Sequence, residues 1–240
     1  MPRLTAIGFD ADDTLWQNEA FFRLTENRFA ELLADAAPQG HLMLRLLAAE
    51  RRNLGHYGFG IKGFMLSMIE TAVEVTEGRV TGDVIAEILT AGREMLRHPV
   101  ELLPGARETV EALATDYRVL LITKGDLMDQ ERKLAASGLG DLFHGVEIVS
   151  DKTSATYTSI FARHGTGAAE GLMVGNSLKS DVLPMLAAGG FGVFVPHGLT
   201  WALEAAEMPQ RDPRFAEIAT LAFLPDLLPK LLSGTQQIAI

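Results

Sequence analysis

Three carboxylates follow directly on a short apolar run near the start of the chain. The run over residues 4–9 is bounded in the way that is typical of a buried strand, and it leads into Asp10, Asp12 and Asp13. Crowded carboxylates repel one another, and their burial is unfavourable unless something compensates the charge. A divalent cation does so, because hard cations prefer carboxylate oxygens. The stretch predicts that Asp10 is a nucleophile and Asp12 an acid/base group, both working with Mg²⁺.

Polar residues also follow three later runs that are predicted to be strands, over 118–122, 145–149 and 172–174. These residues are Thr123, Lys124 and Gly125 after the first run, Lys152 after the second, and Asn176, Ser177 and Asp181 after the third. In a parallel sheet the carboxyl ends of the strands lie at one edge, where ligands bind. We therefore expect residues that are far apart in the sequence to lie together with Asp10 and Asp12.

The elements that must position these residues fall into two blocks. After residue 104, strands and helices alternate at a spacing that predicts βαβ units with right-handed crossovers. The fold class is therefore predicted as α/β, with a doubly wound, Rossmann-like parallel sheet. Residues 18–98 are instead strongly helical, and their four predicted helices suggest a small bundle. We expect an α/β core domain of residues 1–16 and 100–240, an inserted α-helical domain of residues 17–99, and a weakly ordered tail from Ser233 to Ile240.

Composition narrows the class of protein further. The 240 residues carry 21 Lys and Arg against 31 Asp and Glu, a net charge of −10 that argues against nucleic acid as a partner. No apolar run reaches the ~18 residues that a membrane-spanning helix needs, so no membrane association is expected. Cysteine is absent, which excludes a thiolate nucleophile and a Cys-based zinc site and suits the reducing cytoplasm, where we expect the protein.

Four motifs give the chain a family resemblance. They are Asp10-Ala-Asp12-Asp13-Thr14 after an apolar strand, Thr123 at the end of a second strand, Lys152 after a third, and Gly175-Asn176-Ser177 with the later Asp181. In this order they resemble the motifs of the haloacid dehalogenase superfamily of hydrolases, in its phosphatase-like branch. The helical block between the first two motifs is similar to the family's α-helical cap domain, which closes over the site.

The resemblance implies a Mg²⁺-dependent phosphohydrolase that acts on a small phosphorylated metabolite. Asp10 would attack phosphorus and form an aspartyl-phosphate, which water then hydrolyses. Asp12 would protonate the leaving oxygen and later take a proton from the attacking water. Whether the protein is a monomer or a homodimer is left open by the sequence.

The other motif residues would bind the phosphoryl group. Thr123 would supply a hydroxyl and Lys152 a positive charge, with help from the backbone amides of Lys124 and Gly125. The Lys124 side chain is open to two interpretations, a second cation near the phosphate or a solvent-facing residue. Glycine-rich residues 56–63 are also open to two: a plain helix connector, or a specificity loop in which Tyr57 or Lys62 reaches the leaving group.

The implied metal ligands are Asp10, the main-chain carbonyl of Asp12, Asn176 and Asp181. Many relatives carry an aspartate at the position of Asn176, and an amide oxygen can bind Mg²⁺ but brings no charge. Either Asn176 binds the metal more weakly, or Asp181 takes over more of the work, directly or through water.

Three alternatives to the phosphohydrolase are considered. A 2-haloacid dehalogenase shares the aspartate nucleophile but attacks carbon without a metal, and Asp12 argues against it, since the metal-free relatives lack this second carboxylate. A phosphomutase keeps the same motifs. A non-catalytic phosphate-binding or scaffold protein is the alternative from another class, and the intact motif set argues against it.

Overall fold

The structure, a computed structural model, describes residues 3–233, so part of the predicted tail, residues 234–240, lies outside the described residues. The chain divides into two compact units. The first takes in the described residues up to Gln17, Val100–Lys124 and those from Gln130 onward, and the second takes in Asn18–Pro99 and Gly125–Asp129. Within the described residues, no helix is long and apolar enough to cross a membrane.

The first unit is built on a sheet of parallel strands. They are β1 (Ala6–Phe9), β2 (Arg118–Lys124), β3 (Gly145–Val149), β4 (Gly171–Gly175), β5 (Phe191–Phe194) and β6 (Phe215–Glu217). Their order is β3-β2-β1-β4-β5-β6, which confirms the predicted doubly wound, Rossmann-like α/β fold. The order reverses between β1 and β4. Ligands bind at such reversals, and Asp10 follows β1 at this one.

The second unit is helical. Its helices are α1 (Glu19–Leu32), α2 (Gln39–Tyr57), α3 (Ile61–Val75) and α4 (Gly82–Met95). Apolar side chains at helical spacing, such as Phe29, Leu46 and Met68, form a core of its own. The helical spacing of these core residues explains why the sequence predicts helices throughout residues 18–98.

Helices cover both faces of the sheet in the first unit. They are α5 (Ala106–Ala114), α6 (Leu127–Ser137, whose first turn belongs to the second unit), α7 (Ser154–His164), α8 (Leu183–Ala187) and α9 (Leu224–Ser233). Phe9 and Val174 pack with Val110 of α5 and Leu228 of α9, whereas side chains of the opposite face pack on Phe161 of α7. Because both faces are buried, the strands are continuous apolar runs.

Two features differ from the sequence-based expectation. The apolar pattern over 178–188, which ends at Gly189-Gly190, predicts one continuous helix, but Leu178–Val182 is a π-helical turn that precedes α8. Pro184 has no amide hydrogen for the carbonyl of Ser180, which accepts a hydrogen bond from Tyr157 Oη at 2.9 Å instead. The last strand that the sequence pattern predicts covers residues 192–195, yet β6 and α9 follow it. β6 has three residues, and α9 contains Pro229, which masks its helical pattern.

Candidate active site

Asp10 and Lys152 form a buried ion pair at the carboxyl ends of β1 and β3. Lys152 Nζ lies 2.5 Å from Asp10 Oδ1 and 2.7 Å from Asp181 Oδ1, and Lys152 is only 4% exposed. Burial raises the pKa of Asp10 to about 7, since the opposing effect of Lys152 is partly cancelled by the negative charge of Asp181. Burial lowers the pKa of Lys152, but the attraction of both carboxylates outweighs it and places that pKa above its ordinary value. The ammonium therefore stays charged.

Asp181 is held by the π-helical turn. Its Oδ1 accepts from Lys152, and its Oδ2 accepts from the backbone N–H of Ser177 at 2.9 Å. A Cβ on Gly175 would lie 2.2 Å from Asp181 Oδ2, so only glycine allows this carboxylate to approach the end of β4. Both carboxylate oxygens thus have partners within the chain, and one of these partners is the Lys152 ammonium.

Oxygen atoms converge beside Asp10 on the opposite side from Lys152. Thr14 Oγ1 donates to Asp10 Oδ2 at 3.2 Å and accepts from the backbone N–H of Asn176 at 3.1 Å. One outer atom of the Asn176 amide lies 3.2 Å from each of three oxygens: Asp10 Oδ2, the main-chain oxygen of Asp12 and Thr14 Oγ1. If this atom is nitrogen, it donates to its neighbours. If it is oxygen, then carboxylate, carbonyl and amide oxygens face one another.

Facing oxygens of these types suit a hard cation. In the part of the chain that the structure describes, no three His, Cys, Asp or Glu side chains gather as metal ligands. A metal at this point would therefore rely on one carboxylate, a carbonyl and an amide, and the donor set of Asp10, Asp12 and Asn176 fits Mg²⁺. Asp181, the fourth predicted ligand, already binds Lys152 and Ser177.

The side chain of Asp12 has partners of its own. Oδ1 accepts from Trp16 Nε1 and Lys133 Nζ, both at 2.7 Å, and Oδ2 accepts from Gln130 Nε2 at 2.8 Å and Lys133 Nζ at 2.9 Å. Gln130 and Lys133 are three positions apart on α6, so they share one helix face. Neither residue was predicted from the sequence, because their contact with Asp12 depends on how α6 packs.

Thr123 and Lys124 end β2, as predicted, but the lysine has specific partners. Lys124 Nζ donates to Glu204 Oε1 and Ser180 Oγ, both at 2.7 Å. Glu204 also accepts from the hydroxyls of Ser177 and Ser180, at 2.5 Å each. Burial raises the pKa of Glu204, but Lys124 and these hydrogen bonds hold it below its ordinary value. The structure thus pairs Lys124 with a carboxylate that the sequence analysis missed, and phosphate binding by Thr123 and the Lys124 amide stays a prediction.

The glycine-rich connector lies in the second unit and is short. α2 ends at Tyr57 and α3 begins at Ile61. Tyr57 Oη donates to Glu70 Oε1 at 2.9 Å, and Lys62 Nζ lies 2.9 Å from Asp126 Oδ2. Gly125, the remaining predicted phosphate-binding residue, belongs to the same unit and has a positive φ of 138° that glycine adopts without strain.

The fold and the motif residues at its strand ends have a counterpart among known families. The model of the haloacid dehalogenase-like hydrolases matches residues 4–189. The chain therefore belongs to the haloacid dehalogenase-like hydrolase family, which confirms the resemblance to that superfamily. No curated protein matches the chain.

Solved structures agree with this assignment. A haloacid dehalogenase-like family hydrolase from Xanthomonas campestris is 42% identical with a TM-score of 0.86, and the match covers 98% of this chain and 95% of that one. A magnesium-bound protein from Bacillus subtilis that is assigned as an HAD-hydrolase is 18% identical (TM-score 0.67, 94% and 99% covered). A 2-haloacid dehalogenase from Pseudomonas syringae pv. tomato is 20% identical (TM-score 0.59, 95% and 99% covered). The last two share the fold.

Proposed function

We propose that this hydrolase is a Mg²⁺-dependent phosphohydrolase that acts on a small phosphorylated metabolite in the cytoplasm. The observation that carries the proposal is the environment of Asp10. One oxygen of its carboxylate is bound by the buried ammonium of Lys152, and the other lies 3.2 Å from an outer atom of the Asn176 amide, which is equally close to the main-chain oxygen of Asp12. With the amide oxygen turned to this side, these groups would form a cation site. A nucleophile placed between a fixed cation and a cation site suits an attack on an anionic phosphorus centre.

Asp10, the carbonyl of Asp12 and Asn176 would hold the Mg²⁺. When bound, the ion would offset the repulsion between the carboxylate nucleophile and the anionic substrate. Asp181 serves a different purpose in this proposal, since it keeps Lys152 charged and oriented toward Asp10. The neutral Asn176 then takes the place that many relatives give to a charged ligand.

The chain's residues would carry the reaction in two steps. In the first, an oxygen of Asp10 bonds to phosphorus while the ester P–O bond breaks, and Asp12 gives a proton to the departing oxygen. In the second, water attacks the phosphorus of the aspartyl-phosphate, Asp12 takes its proton, and the Asp10 carboxylate is released. Lys152 and the hydroxyl of Thr123 would bind the phosphoryl oxygens throughout.

The test is phosphate release from p-nitrophenyl phosphate and a panel of metabolite phosphates. We expect release with Mg²⁺ and none with EDTA. Asp10→Asn is the matched control, because it keeps the size of the side chain and one acceptor oxygen for Lys152 and removes the nucleophile. A protein that releases no phosphate with Mg²⁺, or an Asp10→Asn variant with full activity and an intact fold, would contradict the proposal.

A second candidate is a 2-haloacid dehalogenase. One observation favours it: the Asp12 carboxylate is engaged by Trp16, Gln130 and Lys133, and displacement of a halide needs no acid there. It predicts chloride release from 2-chloropropionate in the presence of EDTA. That result, together with an inert p-nitrophenyl phosphate, would replace the first function with the second.

A further inference from the structure

The Asp12 carboxylate is fixed by side chains from two elements. Trp16 belongs to the same turn as Asp12, and Gln130 and Lys133 reach it from α6. Both α6 side chains are buried, at 3% and 7% exposed. Buried amide and ammonium groups that converge on one carboxylate form charge-assisted hydrogen bonds, which set its orientation.

Gln130 is itself fixed in one orientation. Its Nε2 donates to Asp12 and also to the main-chain oxygen of Lys124, at 3.1 Å. Its Oε1 is buried and has no hydrogen-bond partner within residues 3–233. An unpaired buried acceptor is unfavourable, so the contacts of the nitrogen must keep the amide in this orientation.

Lys133 contacts both oxygens of Asp12, at 2.7 and 2.9 Å. A carboxylate has about four lone-pair sites, and the bonds from Trp16, Gln130 and Lys133 engage all of them. Because Lys133 makes two of these bonds, it can give up one and keep the other. One lone pair of Asp12 then becomes available for a proton from water while the orientation of the group is retained.

We propose that Lys133 and Gln130 are positioning residues that hold the Asp12 carboxylate in place to take the proton of the attacking water. The inference rests on the proposed function, in which that water hydrolyses the aspartyl-phosphate. The proton passes from water to Asp12 as the new P–O bond forms and the bond between phosphorus and Asp10 breaks. Loss of either positioning residue therefore slows the second step of the reaction.

The experiment compares the two steps in pre-steady-state kinetics with p-nitrophenyl phosphate and Mg²⁺. p-Nitrophenolate leaves readily without a proton, so the first step does not depend on Asp12 as an acid. We expect Lys133→Met to release one p-nitrophenolate per active site in a burst, followed by turnover slowed about tenfold. This is less than the roughly 10²–10⁴-fold that a base supplies, because Asp12 itself remains. The aspartyl-phosphate should accumulate and be visible as a phosphoryl adduct by mass spectrometry.

The controls separate positioning from general damage to the fold. Lys133→Arg should restore turnover in part, and Lys230→Met, an exposed lysine on α9, should behave like the unchanged protein. In an Asp12→Asn background, Lys133→Met should cause no further loss, because the two residues act as one unit. If Lys133→Met does not fold, Gln130→Leu tests the same expectation without a change of charge.

Three outcomes would overturn the inference, and they distinguish its failure from failure of the proposed function. If the unchanged protein releases phosphate but neither Lys133→Met nor Gln130→Leu accumulates the phosphoryl adduct, the positioning role is wrong and the proposed function stands. The same holds if Lys133→Met has its full effect in the Asp12→Asn background. If the unchanged protein releases no phosphate from any ester, both proposals fail.

Discussion

The two carboxylate oxygens of Asp10 have different neighbours. Oδ1 is paired with Lys152, whereas Oδ2 accepts from Thr14 and lies 3.2 Å from the Asn176 amide. Burial dominates the electrostatics of the carboxylate and raises its pKa to about 7. Because only the ionised carboxylate is a nucleophile, the positive charge near Asp10 decides how much of the protein is reactive at neutral pH.

The pH dependence of activity should therefore change with the Mg²⁺ concentration. A raised pKa means that Asp10 is protonated below about pH 7 and reactive above it. A cation beside Oδ2 favours the ionised form and lowers that pKa, so the acidic limb of kcat/KM should move to lower pH as Mg²⁺ is raised. The measurement is kcat/KM from pH 5 to 9, in roughly unit steps, at limiting and saturating Mg²⁺. The pKa of the substrate phosphate is measured separately at both Mg²⁺ concentrations and its contribution is removed, so identical remaining limbs would contradict the predicted metal position.

At the scale of elements, the strand ends are tied together by a segment that follows β5. The turn Ala202–Glu204 brings Glu204 to Lys124 at the end of β2 and to Ser177 and Ser180 in the turn after β4. One carboxylate thereby links the two strands that flank β1. Lys179 adds a hydrogen bond to the main-chain oxygen of Leu203 at 2.6 Å.

Removal of Glu204 should destabilise the protein. Glu204→Ala leaves the largely buried Lys124 ammonium without its carboxylate and takes the acceptor from two hydroxyls. The expected loss is about 1–3 kcal/mol in the free energy of unfolding. Urea unfolding measures it, and Glu207→Ala, at an exposed glutamate three positions later, is the matched control. Equal stability of the two variants would show that the Glu204 contacts contribute little.

Sequence patterns were sufficient for the groups that follow an apolar strand directly. Asp10, Thr123 and Asn176 could be placed at one sheet edge because a parallel sheet fixes where its strands end. Glu204 could not, because it lies in a short turn with no periodic pattern, 80 positions after Lys124. The partners of Asp12 on α6 depend on how that helix packs, which spacing alone does not specify.

At the scale of the whole molecule, the net charge is negative, whereas the candidate site holds a positive charge. The chain carries a net charge of −10, which repels phosphate anions at long range. Affinity for a phosphorylated substrate would therefore have to come from local positive charge. Lys152, which Asp10 and Asp181 hold at the sheet edge, provides one such charge. A polyanion with many phosphates cannot use one buried ammonium.

The protein should accordingly not bind nucleic acid. Binding to DNA or RNA depends on several exposed Lys and Arg side chains that neutralise successive phosphates. We expect no change in the fluorescence anisotropy of a labelled single- or double-stranded oligonucleotide at physiological salt. Saturable binding that weakens steeply with added salt would contradict this and would indicate a basic surface.

Because of the π-helical turn over Leu178–Val182, the position of Asp181 depends on the number of residues that precede it in this turn. Such a turn holds one residue more than a turn of α-helix, and the loss of one residue would rotate Asp181 by about 100° around the helix axis. A relative that lacks one residue between Gly175 and Asp181 could thus keep every residue of the motif. Its aspartate would nevertheless point away from the lysine that corresponds to Lys152. When homologous sequences are sorted, the number of residues in this interval is therefore as informative as their identities.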